Sequence, residues 1–156
     1  MNKILTLIAA AFLALSAGYA QAATEAAKDA KAAPSYAKQK VVYHVNVDDP
    51  KMLKAALGNV QNHINAVGKD NIEIKIVMHG DGVGLLKIAN TDPEMQSKVI
   101  NLKGQEVDFV VCNNTLVGRK INYKNDLFDV SEQDLVPSGV AELAKLQQQG
   151  YMYIKP

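Results

Sequence analysis

Two hydrophobic rhythms alternate along the chain. Short runs rich in Val, Ile, Phe and Tyr at residues 40–47, 72–78, 109–111 and 151–154 predict strands. Between them, apolar residues recur at steps of three and four. Leu53, Leu57, Val60, Ile64 and Val67 form one stripe. Asp49 as N-cap and Pro50 at the first helical position open that helix, and Gly68 ends it. Met95, Val99 and Ile100 mark a second helix, opened either by Thr91 with Glu94 or by Asp92 with Pro93, with Gly104 after it. Val140, Leu143, Ala144 and Leu146 mark another, capped by Ser138 and stopped at Gly150. Residues 135–137 read as a short fourth strand that Pro137 ends, and residues 127–130 as a brief element after a polar loop at 122–126. Apolar and charged residues alternate from Ile72 to Ile76, which predicts a partly exposed face, as at a sheet edge. Strand alternates with helix throughout, so the expected class is α/β with a mainly parallel sheet.

The ends change the picture. Lys3 precedes an apolar stretch, Ile4 to Leu15, broken only by Thr6, and Ala20, Gln21 and Ala22 fit a small-x-small cleavage site. Residues 1–22 therefore read as a cleavable secretory signal, too short to span a bilayer comfortably. The expected location is a periplasm-like compartment, with no membrane association after cleavage. Residues 23–39 are rich in Ala and Lys and read as a flexible lead-in. The compact domain is expected over residues 40–156.

Charge excludes some partners. Lys and Arg total 17 against 16 acidic residues, and Lys3 leaves with the signal, so the remainder is neutral. No basic excess points to nucleic acid. Three His and one Cys show no metal-ligand spacing, and nothing calls for a cofactor. The single cysteine cannot close an intramolecular disulfide. In an oxidising compartment such a thiol is buried, paired between chains, or chemically used.

That cysteine, Cys112, stands where the run Phe109, Val110 and Val111 ends. Asn113, Asn114 and Thr115 follow, all of N-cap type, with a short helix expected over residues 114–120. A strand end feeding a helix is where open α/β sheets bind ligands, and a helix N-terminus favours the thiolate. Free cysteine is equally at home as a small core residue. His79 ends the second strand on the same edge and is a candidate proton acceptor or anion ligand. Gly80, Gly82 and Gly84 follow it, a plain tight turn or a cradle of backbone N–H groups, without the spacing of a dinucleotide fingerprint. His44 reads as structural and His63 as a surface residue. Arg119 and Lys120 either fold back toward the thiol or face solvent or a neighbouring subunit.

With these residues placed, the chain resembles the DsrE/DsrF-like family. The resemblance rests on residues 41–46 (Val-Val-Tyr-His-Val-Asn), 77–82 (Val-Met-His-Gly-Asp-Gly), 109–116 (Phe-Val-Val-Cys-Asn-Asn-Thr-Leu) and 136–156, the last two being the more specific. It implies a three-layer α/β/α fold with a five-stranded, mainly parallel sheet, and self-association into trimers or hexamers. Relatives in sulfur oxidation and tRNA thiolation carry sulfur as a persulfide on a cysteine after the third strand. Carried over, that makes Cys112 the acceptor. On this chain's own residues, Asn113, Asn114 and Thr115 are then expected to support the anion, and His79, Gly80, Gly82 and Asn46 to line the pocket. A protein or small-thiol sulfur donor and acceptor are the implied partners. Those carriers are cytoplasmic and work in hetero-complexes, from which an export signal departs. The competing reading is a non-catalytic oligomeric module that binds a small ligand at the glycine loop, with Cys112 as packing.

Overall fold

The computed structural model describes residues 36–156. The expected signal, and all of the lead-in before residue 36, lie outside the described residues. Strands are β1 (Gln39–Val45), β2 (Ile72–Met78), β3 (Asp108–Cys112), β4 (Leu135–Val136) and β5 (Met152–Ile154). Helices are α1 (Pro50–Val67), α2 (Gly84–Ala89), α3 (Pro93–Lys103), α4 (Asn113–Arg119), α5 (Tyr123–Asp126) and α6 (Gly139–Gln148). The sheet runs β4-β3-β2-β1-β5, and every pairing is parallel. The expected α/β class and five-stranded sheet are therefore present. Among the described residues no helix is long and apolar enough to cross a membrane.

The caps follow their local chemistry. Asp49 accepts from the Met52 N–H at 2.9 Å, which holds the start of α1. Of the two starts expected for α3, Asp92 is the cap and Pro93 the first residue, with Glu94 N donating to Asp92 Oδ1 at 2.8 Å. The glycine loop is more ordered than a plain turn. It is a 3-10 turn, Gly80–Val83, that runs into α2. Residues 122–126 likewise contain the single turn α5, while residues 127–130 form neither strand nor helix.

The pleat divides the core in two. Val41, Tyr43, Val45, Ile74, Ile76, Met78, Phe109 and Val111 point to one face, under Leu53, Leu57 and Val60 of α1, Leu85 and Leu86 of α2, and Val99 and Leu102 of α3. Val42, Val77 and Val110 point to the other and meet Leu143 and Leu146 of α6, with Tyr151. This second layer is thin, because among the described residues only α6 contributes a helix to it.

The thin layer corrects the reading of β2. It is the central strand, not an edge strand. Glu73 and Lys75 share a face with Val77, toward the amino end of the strand. There Glu73 pairs with Lys40 at 3.6 Å and accepts from the Tyr151 hydroxyl, and Lys75 pairs with Asp108. Alternation here records a sparsely covered face rather than an open edge.

Gly82 fixes the glycine turn against β1. A Cβ at that position would stand 2.0 Å from the Val45 carbonyl oxygen and 2.8 Å from the Asn46 nitrogen. Backbone cannot yield as a side chain can. Gly82→Ala is expected to cost roughly 1–3 kcal/mol, a Tm fall on the order of 5–15 °C, read by thermal denaturation.

Candidate functional site

Three adjacent strands repeat one short pattern at their carboxyl ends: Val42-Tyr43-His44, Val77-Met78-His79 and Val110-Val111-Cys112. In each, the valine packs on the α6 face, so the residue two positions later points to that same face. His44, His79 and Cys112 are thereby aligned at the carboxyl edge of β1, β2 and β3. Met78 pairs with Val111 in register, so His79 and Cys112 are the next pair along.

α6 closes over them. A Cβ on Gly139, its first residue, would lie 2.9 Å from His79 Cβ and 3.1 Å from Cys112 Cβ. The missing side chain lets the start of α6 seat directly on both residues. The opening of α6 is held by Ser138, whose Oγ accepts from the Ala141 N–H at 3.3 Å.

Cys112 is 5% exposed and is itself the N-cap residue of α4. The helix begins one residue earlier than expected, and Asn113, Asn114 and Thr115 occupy its first turn instead of capping it. Burial raises the thiol's pKa. The Thr115 hydroxyl and the N–H groups of Gly139, Thr115 and Asn114 favour the anion and outweigh it together, so the net shift is downward. The Asn114 N–H also donates to the Pro137 carbonyl at 3.2 Å, in keeping with its place as the weakest contributor.

Gly80 organises the Thr115 hydroxyl. Its N–H donates to Thr115 Oγ1 at 2.9 Å. That occupies an oxygen lone pair and leaves the hydroxyl proton for the sulfur. Gly80 has φ 56°, a left-handed conformation that glycine adopts readily.

His79 is not alone. Its Nε2 is 2.7 Å from Nε2 of His44; with centroids 4.7 Å apart and planes 23° from parallel, the two rings meet edge to edge and nearly in plane. His44 Nδ1 is in turn 2.6 Å from the Tyr153 hydroxyl on β5. His44, read from the sequence as structural, is thus hydrogen-bonded to the candidate residue His79. The signal was present in the repeated valine-to-polar spacing. Tyr153 and Gly139 had no such signal, because their roles depend on β5 lying beside β1 and on α6 crossing the face. His63 is also not a free surface residue: it hydrogen-bonds Tyr43 at 2.9 Å and Gln39 at 2.8 Å.

The other candidates lie apart or serve the scaffold. Asn46 follows β1 and lines a small cleft with His44, Met52, Lys155 and Pro156. Its Oδ1 is buried without a hydrogen-bond partner among the described residues. Gly82 packs against backbone. Arg119 pairs with Asp81 at 2.6 Å, and Lys120 terminates α4 in a left-handed conformation. Arg119, Asp81, Gly80, Asp48 and Lys87 line an open cleft of about 240 Å³ beside the glycine turn. A larger cleft of about 350 Å³ lies at the amino ends of β1 and β2, away from the cysteine. Among the described residues, no group of three or more His, Cys, Asp or Glu side chains is placed to hold a metal ion.

A model of the DsrE/DsrF-like family matches residues 9–156. Among solved structures, the chain is similar to a protein of unknown function from Methanobacterium thermoautotrophicum, with 31% identity over 76% of this chain and 100% of that one, at a TM-score of 0.66. No curated protein matches it.

The donors around Cys112 make a direct prediction. Thr115→Val removes the hydroxyl and keeps the side-chain volume. The midpoint of Cys112 alkylation against pH is expected to move up by about one unit, the scale of one charge-assisted hydrogen bond. An unchanged midpoint would show that the hydroxyl does not stabilise the thiolate.

Proposed function

The chain belongs to the DsrE/DsrF-like family, and from that premise we propose that it is an exported sulfur carrier that holds sulfane sulfur as a persulfide on Cys112. The observation that carries the reading is the set of donors around the sulfur, which lowers the thiol's pKa despite its burial. Such donors activate a nucleophilic cysteine by favouring its thiolate.

The step needs no cofactor. The Cys112 thiolate attacks the outer sulfur of a persulfide donor, R–S–SH. The donor's S–S bond breaks and its electron pair leaves on R–S⁻, which takes up a proton. Cys112 then carries S–SH, and no net oxidation occurs. Ionised, that persulfide meets the same Gly139 and Thr115 donors. An acceptor thiolate reverses the sequence and removes the sulfur. With the thiol 5% exposed, small linear donors such as hydropolysulfide reach it more readily than bulky ones.

Export and self-assembly are parts of the same proposal. The Lys3, Ile4–Leu15 and Ala20–Ala22 pattern supports the first. Assembly into trimers or hexamers rests on the family resemblance.

Incubating the purified protein with polysulfide, quenching with an alkylating reagent and reading the intact mass tests the proposal. A gain of one or more sulfur atoms, absent in Cys112→Ser, is expected. No gain, with Cys112 alkylated only after denaturation, would overturn the carrier reading and favour the ligand-binding module.

A depressed thiol pKa also links to stability. The stabilisation it gives is fully present above the ordinary thiol range and is lost as pH falls through the lower, folded value. The unfolding free energy of the wild type relative to Cys112→Ser is therefore expected to rise with pH across that interval. A difference independent of pH in denaturant titrations would contradict the shift.

A further inference from the structure

The strand register draws a diagonal across the α6 face. Tyr153 pairs with Val42, one pleat before His44 on β1. His44 pairs with Val77, one pleat before His79 on β2. His79 then stands beside Cys112 under Gly139. Two hydrogen bonds, 2.6 Å and 2.7 Å, join the first three residues of this diagonal.

A contact between two Nε2 atoms has one chemical meaning. One nitrogen carries the proton and the other accepts it. The choice propagates. If His79 Nε2–H donates to His44 Nε2, then His44 carries its proton on Nδ1 and donates to the Tyr153 oxygen, while His79 Nδ1 is an acceptor. In the alternative, the Tyr153 O–H donates to His44 Nδ1, His44 Nε2–H donates to His79, and His79 Nδ1 carries a proton. The two arrangements differ by one proton shifted along every link. With Nε2 engaged by His44, Nδ1 is the ring nitrogen left for Cys112, the neighbouring residue under Gly139; the two make no direct hydrogen bond, so the proton crosses between them through one bridging water. Tyr153 is 43% exposed, so the far end of the line reaches water.

We infer that Tyr153, His44 and His79 form a proton relay for Cys112, with His79 as the proton acceptor and His44 and Tyr153 as positioning residues that pass the proton to solvent. This rests on the sulfur-carrier reading for its purpose, though not for its detection. On activation the thiol proton moves to His79 Nδ1. The Nε2 proton of His79 passes to His44, the Nδ1 proton of His44 to the Tyr153 oxygen, and the Tyr153 hydroxyl proton to water. One proton leaves the thiol and one enters solvent. When a persulfide donor's R–S⁻ departs, a proton returns from solvent.

The surroundings favour the neutral form of His44. Burial, the neighbouring His79 and the Lys155 charge beyond β5 all lower the His44 pKa. In the turn after His79, Asp81 is neutralised by Arg119. On α6, Glu142 is held by Lys145 at 3.1 Å. A neutral His44 can take the proton passed on from His79, and protonating both facing nitrogens would break the Nε2–Nε2 bond.

The test is the rate of Cys112 alkylation by iodoacetamide against pH, in the wild type, His79→Gln, His44→Gln and Tyr153→Phe. Gln retains hydrogen-bonding capacity without titrating, and Tyr153→Phe removes only an exposed hydroxyl. The wild type is expected to show an inflection below that of the thiol itself. His44→Gln should abolish it, Tyr153→Phe should shift it, and His79→Gln should slow neutral-pH alkylation on the order of tenfold. An identical profile in wild type, His44→Gln and Tyr153→Phe would overturn the relay. Alkylation needs no sulfur donor, so the outcomes separate. A changed profile in a protein that takes up no polysulfide sulfur would keep the relay and sink the carrier function.

Discussion

The start of α6 rests directly on the ends of β2 and β3, and the rest of the site depends on that contact. It is possible because residue 139 has no side chain. A Cβ there would meet His79 and Cys112 together. The same approach brings the Gly139 N–H to the sulfur, buries the thiol and covers the inner part of the histidine line. Two helix starts, those of α4 and α6, then converge on one atom. Their N–H groups favour negative charge there, and the Thr115 hydroxyl adds a third direction of support.

The two faces of the sheet divide the work. One face carries α1, α2 and α3 over a continuous core of aliphatic residues and Phe109. It supplies the burial that holds the strands in register. The other face, among the described residues, carries α6 alone. From the amino to the carboxyl ends of the strands it passes from paired charges at Lys40, Glu73, Lys75 and Asp108, through Val42, Val77 and Val110, to His44, His79 and Cys112. The thin layer leaves room for polar residues at its ends, and the thick layer permits it to be thin.

Much of the fold was legible in the chain. Asp49-Pro50 and Asp92-Pro93 announced helix starts that the structure retains, and the alternation of runs and stripes announced a parallel sheet. Cys112 at a strand end was legible because an apolar run stops at a residue followed by polar ones. The sheet position of β2 was not. Glu73 and Lys75 look like an edge until Tyr151 and Asp108 are known to lie beside them. The partnership of His44 with His79 was half legible, since the Val-x-His spacing repeats, but it needed β1 and β2 to be neighbours. Tyr153 was illegible. Its bond to His44 joins residues 109 apart in the chain and depends on the return of β5 to the far edge of the sheet beside β1, which is a choice of topology rather than of local pattern.

The central claim is that this fold lowers the pKa of the Cys112 thiol despite its burial. Its most direct test is a spectroscopic titration of the native protein, reading thiolate absorbance against pH with Cys112→Ser subtracted. The protein has one cysteine, so the difference signal belongs to that side chain. A midpoint below the ordinary thiol range of about 8.5 is the result that the convergence of Gly139, Thr115 and Asn114 predicts. A midpoint at or above that range would mean that burial prevails over the donors, and that Cys112 is packing after all.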